Sequence, residues 1–238
     1  MSEGVPRLIF LTEMFCSFGV LSDPMAAAAA GPSSALVRIV AQRVTKAALL
    51  VDNVSRFVSI GDGVVLHVAL LAGVDEAAID AAVKQVLQSR VFILPPIGAT
   101  PEQRAAVTST DGTAATRPKP VAIAESDCDV LVVPQATLAG KVKGKVMQYH
   151  GQASKDVAQT LYELFCRQLR GALLPPAEFA LPRDANGCCV TTTERDAAAA
   201  DAAEGRASLT RRVLNGTYGN RQALELSSPG PFTHLFEV

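Results

Sequence analysis

Lys141, Lys143 and Lys145 occupy every second position of one short segment, and an aromatic residue, Tyr149, follows them closely. In an extended segment, alternate side chains point to the same side, so the three ammonium groups would form one basic stripe. Ammonium groups bind phosphates and a flat ring stacks on an unpaired base, which is the chemistry of binding a single-stranded RNA end. A solvated basic loop is the other interpretation, and the pattern alone leaves both open.

A second set of reactive residues is Thr137 with His150 or His234, which would serve as nucleophile and base in a small-molecule esterase. Such an enzyme needs an acid that orients the base, and no carboxylate stands at a recognisable spacing from these residues. His67 lies inside an apolar run, where a core histidine is the simpler interpretation. The scattered histidines predict no metal site, and we expect the protein to use no metal and no cofactor.

The overall composition limits the possible partners. Hydrophobic residues make up 49% of the 238 residues, aromatic residues only 5%, and the formal net charge is -1. These values predict an aliphatic core, and any nucleic-acid contact must come from a local basic cluster because the whole chain is not basic. The five cysteines show no CxxC spacing, which favours a reducing compartment and a cytoplasmic location. The apolar run 8–21 contains Glu13 and is too short for a membrane span, so we expect no membrane contact.

The first part of the chain predicts strands. Residues 1–34 hold an alanine run followed by Gly-Pro-Ser-Ser and are expected to form a poorly ordered leader. Short apolar runs at 36–44 and 47–51 and an alternating pattern at 54–60 indicate strands. A Gly-Asp-Gly turn then leads into the apolar run 64–71, which we expect to form a hairpin with the preceding strand and to be buried on both faces.

Two amphipathic helices follow. Asp75 and Glu76 open the first, because acidic residues favour a helix N-terminus, and the second covers about residues 154–170. The stretches at about 95–127 and 174–208 are rich in Pro, Ala or Thr and are interpreted as surface insertions. Closing strands are predicted at residues 209–214, 222–226 and 233–238.

Two motifs carry a family resemblance. Val-Val-Pro-Gln-Ala-Thr-Leu at 132–138 and Ser-Pro-Gly-Pro-Phe-Thr-His at 228–234 resemble the two signature motifs of the D-aminoacyl-tRNA deacylase superfamily, and the first is closest to its animal-type branch. Lys143-Gly144-Lys145 and the runs at 147–150 and 216–222 are similar to the same branch. Matches at both ends of the chain make the resemblance specific.

The resemblance spans about residues 36–94 and 130–238 and implies a fold and an activity. The implied fold is α/β, with barrel-like, largely antiparallel sheets and two main helices, in a single domain over residues 35–238. The implied activity is proofreading, in which the ester that joins a wrongly attached amino acid to tRNA is hydrolysed. The implied partners are aminoacylated tRNA and a second copy of the chain in a homodimer.

The resemblance also implies a composite site. Each subunit is expected to insert its Gly230 and Pro231 loop into the partner's pocket, beside Gln135, Ala136 and Thr137. Main-chain groups would line the pocket, and the 2′-hydroxyl of the terminal adenosine would assist attack by water. An aminoacyl ester needs mainly orientation and an oxyanion donor, such as the amide of Ala136 or Thr137, so no catalytic triad is required.

Further residues receive roles around this pocket. Arg43 and Arg221 are expected to support the Gly-Pro loop. The expected contacts to substrate or tRNA come from Lys141, Lys143, Lys145, Met147, Tyr149 and Thr233.

The amino acid that is removed stays open between a D-amino acid and L-alanine. Gln42-Arg43-Val44 is similar to the D-aminoacyl branch, whereas both signature motifs are of the animal type. We expect a trans Gly230-Pro231 peptide, which in the animal-type branch leaves room for the methyl group of L-alanine.

A protein that binds tRNA with the same fold but has lost hydrolysis is the main alternative. Both signature motifs are intact, which disfavours it. Release of the amino acid from charged tRNA separates the two functions, because a pure binder would retain the ester.

Overall fold

The structure is a computed structural model that describes residues 35–108, 119–190, 211–230 and 232–238. The leader expected at residues 1–34 lies outside the described residues, as do parts of both expected insertions. In chain order the described elements are β1 (Val37–Val44), β2 (Lys46–Leu50), β3 (Phe57–Ile60), β4 (Gly63–Leu70), α1 (Glu76–Gln88), α2 (Pro101–Thr108), β5 (Asp129–Pro134), β6 (Lys141–Lys143), β7 (Val146–Gln148), α3 (Lys155–Leu173), α4 (Pro176–Phe179), β8 (Val213–Asn215), β9 (Leu224–Ser227) and β10 (Thr233–Glu237).

The strands form two main sheets and one small hairpin. One sheet has five strands in the order β10-β1-β4-β5-β8, the other has three in the order β3-β2-β9, and β6 pairs with β7. β1 is antiparallel to β4 and β10, while β5 is parallel to β4 and β8. The predicted α/β fold class is confirmed. The described strands form two main sheets and the β6–β7 hairpin, and they do not close into a barrel.

The five-stranded sheet is the middle of three layers. On one face, Val65 and Leu131 pack with Leu49 and Val58 of the three-stranded sheet. The other face packs against α1 and α3, in a cluster that contains Ile79 of α1 among its members. Burial of one such aliphatic side chain contributes about 1.5–3 kcal/mol. β4 is therefore buried on both faces, as its uninterrupted apolar run predicts.

The two predicted helices are confirmed. α1 begins after Asp75, whose carboxylate accepts a 2.8 Å hydrogen bond from the amide of Ala78. α3 runs from Lys155 to Leu173, three residues beyond the predicted end. Among the described residues, no helix is long and apolar enough to cross a membrane.

A glycine and a buried arginine stabilise the end of the central sheet at which β5 begins. Gly63 pairs with Asp129, and a side chain at Gly63 would overlap the Asp129 carbonyl oxygen, so only glycine permits this approach. Arg43 is 1% exposed and donates to the carbonyl of Ile93 at 3.2 Å and to the Asp62 carboxylate at 3.0 Å. These partners satisfy the buried guanidinium and join β1 to the turn before β4.

The predicted hairpin between β3 and β4 is wrong. β3 pairs with β2 in the smaller sheet, whereas β4 pairs with β1 and β5. β3 also starts later than predicted, because the Asp52 carboxylate accepts from the amides of Val54, Ser55 and Arg56 at 2.9 Å and bends the chain there. The half-buried β3 suits the outer sheet, and the fully buried β4 requires the central one.

The two expected insertions are only partly on the surface. Ile123 and Leu174 are buried members of the core under the helices. Ser126 is 0% exposed and donates its hydroxyl hydrogen to the carbonyl of Pro95 at 2.6 Å. Asn186 is 3% exposed. Segments of low-complexity composition therefore supply interior residues of this fold.

Candidate active site

A cleft with a volume of about 700 Å³ lies where the end of β5 faces the loop between β8 and β9. Residues 133–137 of the first signature motif form one wall and residues 218–222 form the other. Gln152, Ala153 and Lys155 lie between them. A cleft of this size accommodates a nucleotide-sized ligand.

The first wall is fixed by hydrogen bonds. The amide of Gln135 donates to the carbonyl of Val68 at 2.8 Å, which ties the wall to β4. The Gln135 side-chain amide donates to Thr137 Oγ1 at 2.6 Å, and Gln152 Nε2 donates to the carbonyl of Ala136 at 3.0 Å. The Thr137 hydroxyl is thus held as an acceptor by a neighbouring amide.

Two main-chain amides of this wall lack partners. Residues 136–139 form a 3₁₀ turn in which Leu138 donates to the carbonyl of Gln135 and Gly140 to that of Thr137. Within the part of the chain that the structure describes, the amides of Ala136 and Thr137 donate to no acceptor. Free N–H groups in a cleft are suited to binding an oxygen that gains negative charge during a reaction.

The second wall is joined to the first through buried contacts. The amide of Gly216 donates to the carbonyl of Val132 at 2.8 Å. The Tyr162 hydroxyl lies 3.0 Å from the Val132 carbonyl and 3.3 Å from the Gly216 carbonyl. Burial raises the pKa of Tyr162 well above its usual range, so the hydroxyl remains a hydrogen-bond donor. A side chain at Gly216 would lie 2.9 Å from Leu49 and Pro134, so glycine allows the two walls to approach.

Asn186 braces the start of the second wall. Its side-chain amide donates to the carbonyl of Asn215 and to the hydroxyl of Thr217, both at 3.0 Å. Its own carbonyl accepts from the amide of Asn215 at 3.0 Å. Arg170 fixes the Asn215 side chain with a 2.7 Å bond. A residue of the second expected insertion therefore supports the cleft.

The cleft has positive charge on its lining and no described carboxylate or imidazole. Lys155 and Arg221 are its charged residues, and the other described lining residues are neutral. Arg221, which was expected to support the Gly-Pro loop, lies on the second wall of the cleft. No group of three or more metal-binding side chains occurs among the described residues.

The second signature motif lies away from this cleft. The carbonyl of Phe232 accepts a hydrogen bond from the amide of Arg43 on β1. Arg43 pairs with Val64 on β4, and Val64 pairs with Val130 on β5, four residues before Pro134. At about 3.3 Å per residue and about 4.8 Å per strand, the motif is roughly 13 Å along and roughly 14 Å across the sheet from the first wall. Gly230 and Thr233 therefore do not line their own chain's cleft.

The described contacts of the second motif come mainly from Gln42. Gln42 Nε2 donates to Ser228 Oγ at 3.0 Å, and the Thr233 hydroxyl donates to Gln42 Oε1. Arg43 meets the motif through its main-chain amide, while its side chain binds elsewhere. Pro231 lies outside the described residues, so the trans Gly230-Pro231 peptide stays a prediction.

The lysine stripe lies on the hairpin of β6 and β7. Lys141, Lys143 and Lys145 are exposed, as are Met147 and Tyr149. A Cβ atom at Gly140 would lie 2.8 Å from the Tyr149 ring, 2.9 Å from the Met147 sulfur and 3.0 Å from the Thr137 carbonyl oxygen. The base of the hairpin therefore adjoins the first wall.

The three histidines and the described thiols lie outside the cleft, and His150 is an exposed residue that follows β7. The ring of His234 packs edge-on against Phe92, with centroids 4.8 Å apart. His67 is on β4, where burial lowers its pKa, as expected for a neutral core histidine. Burial raises the pKa of Cys128 to about 11 and that of Cys166 to about 12, so both thiols remain protonated. A histidine-activated Thr137 has no support from these positions.

The sequence interpretation missed four contributors to the cleft. Gln152, Lys155 and Tyr218 line it, and Asn186 braces it. Only Tyr218 gave a signal, since it stands in the run 216–222 that resembles the family. Single polar residues at a helix start or in a low-complexity stretch have no pattern that separates them from solvated ones.

The chain is similar to several known proteins. Residues 108–179 match the family described as D-Tyr-tRNA(Tyr) deacylase. A candidate D-tyrosyl-tRNA(Tyr) deacylase 2 of Leishmania major is 36% identical over 196 residues, which cover 80% of this chain and 95% of that protein. D-aminoacyl-tRNA deacylase 2 of Homo sapiens is 29% identical over 187 residues, or 78% of this chain and 82% of that protein.

Two solved structures share the fold. A candidate eukaryotic D-amino acid tRNA deacylase matches with a TM-score of 0.64 and 31% identity, covering 85% of this chain and 99% of that chain. The c-Myc DNA Unwinding Element Binding Protein matches with a TM-score of 0.54 and 18% identity, covering 84% of this chain and 98% of that chain. At this lower identity the second likeness concerns the fold alone.

Proposed function

The chain belongs to the D-aminoacyl-tRNA deacylase family, and we propose that it hydrolyses the ester between a wrongly attached amino acid and the end of a tRNA. The observation that carries this proposal is the pair of free amides, Ala136 and Thr137, in the wall formed by the first signature motif. The family supplies the reaction class, and the cleft supplies groups that suit it.

The chemistry needs few side chains. Water attacks the ester carbonyl carbon, and the carbonyl oxygen becomes an oxyanion that the amides of Ala136 and Thr137 stabilise. The bond from that carbon to the ribose oxygen then breaks, the ribose oxygen takes up a proton, and the free amino acid leaves. The 2′-hydroxyl of the terminal adenosine is proposed to orient the water. An activated ester positioned in this way needs no further nucleophile.

Thr137 is not the nucleophile in this proposal. Its hydroxyl already accepts a hydrogen bond from Gln135, and the described cleft lining contains neither a histidine nor a carboxylate that would remove its proton. The side chain instead helps to hold the shape of the wall.

We propose a homodimer with a shared site. The second motif is exposed at Phe232 and Thr233, and it lies too far from its own cleft to line it. A second copy would bring its Gly230 and Pro231 loop to the cleft, as the family resemblance implies. Two-fold symmetry would then build two equal sites.

We also propose that the hairpin of β6 and β7 contacts tRNA beyond the terminal nucleotide. Its lysines are exposed, and its base adjoins the first wall through Met147 and Tyr149. Phosphates would meet the ammonium groups, and an unpaired base would stack on the ring. Because the substrate is charged tRNA and the cysteines show no disulfide framework, we place the protein in the cytoplasm.

Deacylation of matched charged tRNAs tests the proposal. Purified protein is mixed with tRNA that carries a labelled D-amino acid, glycine or L-alanine, and release of the label is followed. We expect release from at least one of these substrates, with L-alanyl-tRNA favoured if the Gly230-Pro231 peptide is trans. Binding of tRNA without any release would contradict hydrolysis and support the non-catalytic alternative. Heat-denatured protein gives the background rate.

A further inference from the structure

We propose that Lys155 and Arg221 together bind the phosphodiester on the 5′ side of the terminal adenosine of the tRNA. This inference rests on the proposed function and assigns a phosphate-binding subsite to the same cleft. It concerns two residues that line the cleft without belonging to either signature motif.

The Lys155 side chain lies against a glycine of the second wall. Lys155 is the first residue of α3, and its side chain lies along Gly219 of the second wall. A Cβ atom at Gly219 would be 3.4 Å from Lys155 Cε and 3.8 Å from Nζ. Gly219 also has a φ of +85°, a conformation that favours glycine. The ammonium group of Lys155 therefore lies beside the second wall, at a position two residues along the chain from Arg221.

Both cations are free to bind an anion. Arg38, Arg43, Arg56, Arg90, Arg104 and Arg212 all pair with carboxylates. In contrast, no hydrogen bond or ion pair within the described residues engages the side chain of Lys155 or Arg221, although both residues line the cleft. Asp156, the neighbour of Lys155, lines a separate groove that begins beside α1. Among the described residues, the cleft therefore presents two positive charges that no carboxylate pairs with.

The charged groups of the proposed substrate indicate which anion would bind Lys155 and Arg221. An aminoacyl ester has no carboxylate, and its α-amino group is a cation that these residues would repel. The negative charge of the terminal nucleotide is its phosphate, attached to the same ribose as the ester. With the ester at Ala136 and Thr137, the ribose spans the cleft and directs its 5′ oxygen toward the facing wall. Ammonium and guanidinium groups are the side chains that proteins use to bind phosphate.

A pair of unreactive analogues tests this assignment. Each is an aminoacyl-adenosine with an amide in place of the ester, and only one bears a 5′-phosphate. By calorimetry, the wild-type protein is expected to bind the phosphorylated analogue on the order of tenfold more tightly. Lys155→Ala combined with Arg221→Ala should abolish this preference and leave the affinity for the unphosphorylated analogue unchanged.

Two control variants make the test specific. Lys155→Arg should retain the preference because the charge is kept, and Lys84→Ala should retain it because Lys84 is an exposed residue of α1 outside the cleft. Equal wild-type affinity for both analogues, or a preference that survives the double substitution, would overturn the phosphate site. If the wild-type protein deacylates tRNA but shows no preference for the phosphorylated analogue, only this inference is contradicted. If the protein deacylates no charged tRNA, the proposed function is contradicted as well.

Discussion

The two signature motifs differ in whether they line the cleft of their own chain. The motif at 132–138 follows a buried strand and enters the cleft of its own chain, where Gln135 and Gln152 fix it. The motif at 228–234 lies at the other end of the sheet and leads into the edge strand β10, and its described contacts include Gln42, the main-chain amide of Arg43 and the ring of Phe92. We therefore propose that a single chain forms the first wall by itself and presents the second motif to another copy of the chain.

The largest effect is expected from removing a free amide of the first motif. Ala136→Pro deletes one N–H at the first position of a 3₁₀ turn, where proline is tolerated and no internal hydrogen bond is lost. Loss of one oxyanion donor lowers kcat by about 10²- to 10³-fold. Single-turnover deacylation measures this, with circular dichroism as a folding control. Near-normal kcat in a folded variant would show that the Ala136 amide does not bind the oxyanion.

A glycine-to-alanine substitution beside the second wall and one in the second motif should differ in their effect on stability. Gly216→Ala introduces a methyl group 2.9 Å from Leu49 and Pro134, and such overpacking costs about 1–3 kcal/mol of stability. Gly230→Ala meets only the exposed Phe232 ring of its own chain, so thermal unfolding should hardly change.

For Gly230→Ala, the effect should appear in the deacylation rate rather than in stability. If Gly230 enters a partner's cleft, the added methyl group misplaces the substrate, and a shift of this kind lowers the rate about 10²-fold. Thermal denaturation and deacylation of the same two variants measure both effects. A Gly230→Ala protein that is unstable, or that is fully active, would contradict a loop that is exposed in its own chain and acts in a partner's cleft.

The smallest effect is expected at the Thr137 hydroxyl. Thr137→Ala removes an acceptor for Gln135 but leaves both free amides, so activity should fall by no more than about tenfold, whereas loss of a true nucleophile costs on the order of 10⁴-fold or more. Thr137→Ser is the matched control. A folded alanine variant without activity would restore Thr137 as a nucleophile and reduce the role of the amides.

The sequence predicted the fold class, both main helices and the buried β4, because long periodic patterns determine these features. It failed at β3, since a Gly-Asp-Gly turn does not reveal that the next strand changes sheets. It also missed Asn186, a lone amide in a stretch rich in Pro and Ala. Its hydrogen bonds to Asn215 and Thr217 exist only in the folded chain.

The resemblance to the family singled out the motif that forms the first wall, but it did not reveal that the cleft carries positive charge. A lysine at the start of a helix, such as Lys155, has no sequence pattern that distinguishes it from a solvated residue. Its contact with Gly219 joins positions that are 64 residues apart and depends on tertiary packing.

A subunit-mixing experiment tests most directly whether the second motif acts in a partner's cleft. Ala136→Pro protein, with an impaired cleft, is mixed with Gly230→Ala protein, with an impaired loop, after reversible dissociation. Random pairing makes half of the dimers mixed, each with one intact cleft facing one intact loop, so deacylation should recover to about a quarter of the wild-type rate. A mixture no more active than the sum of its parents would contradict the shared site, because the loop would then serve only its own chain.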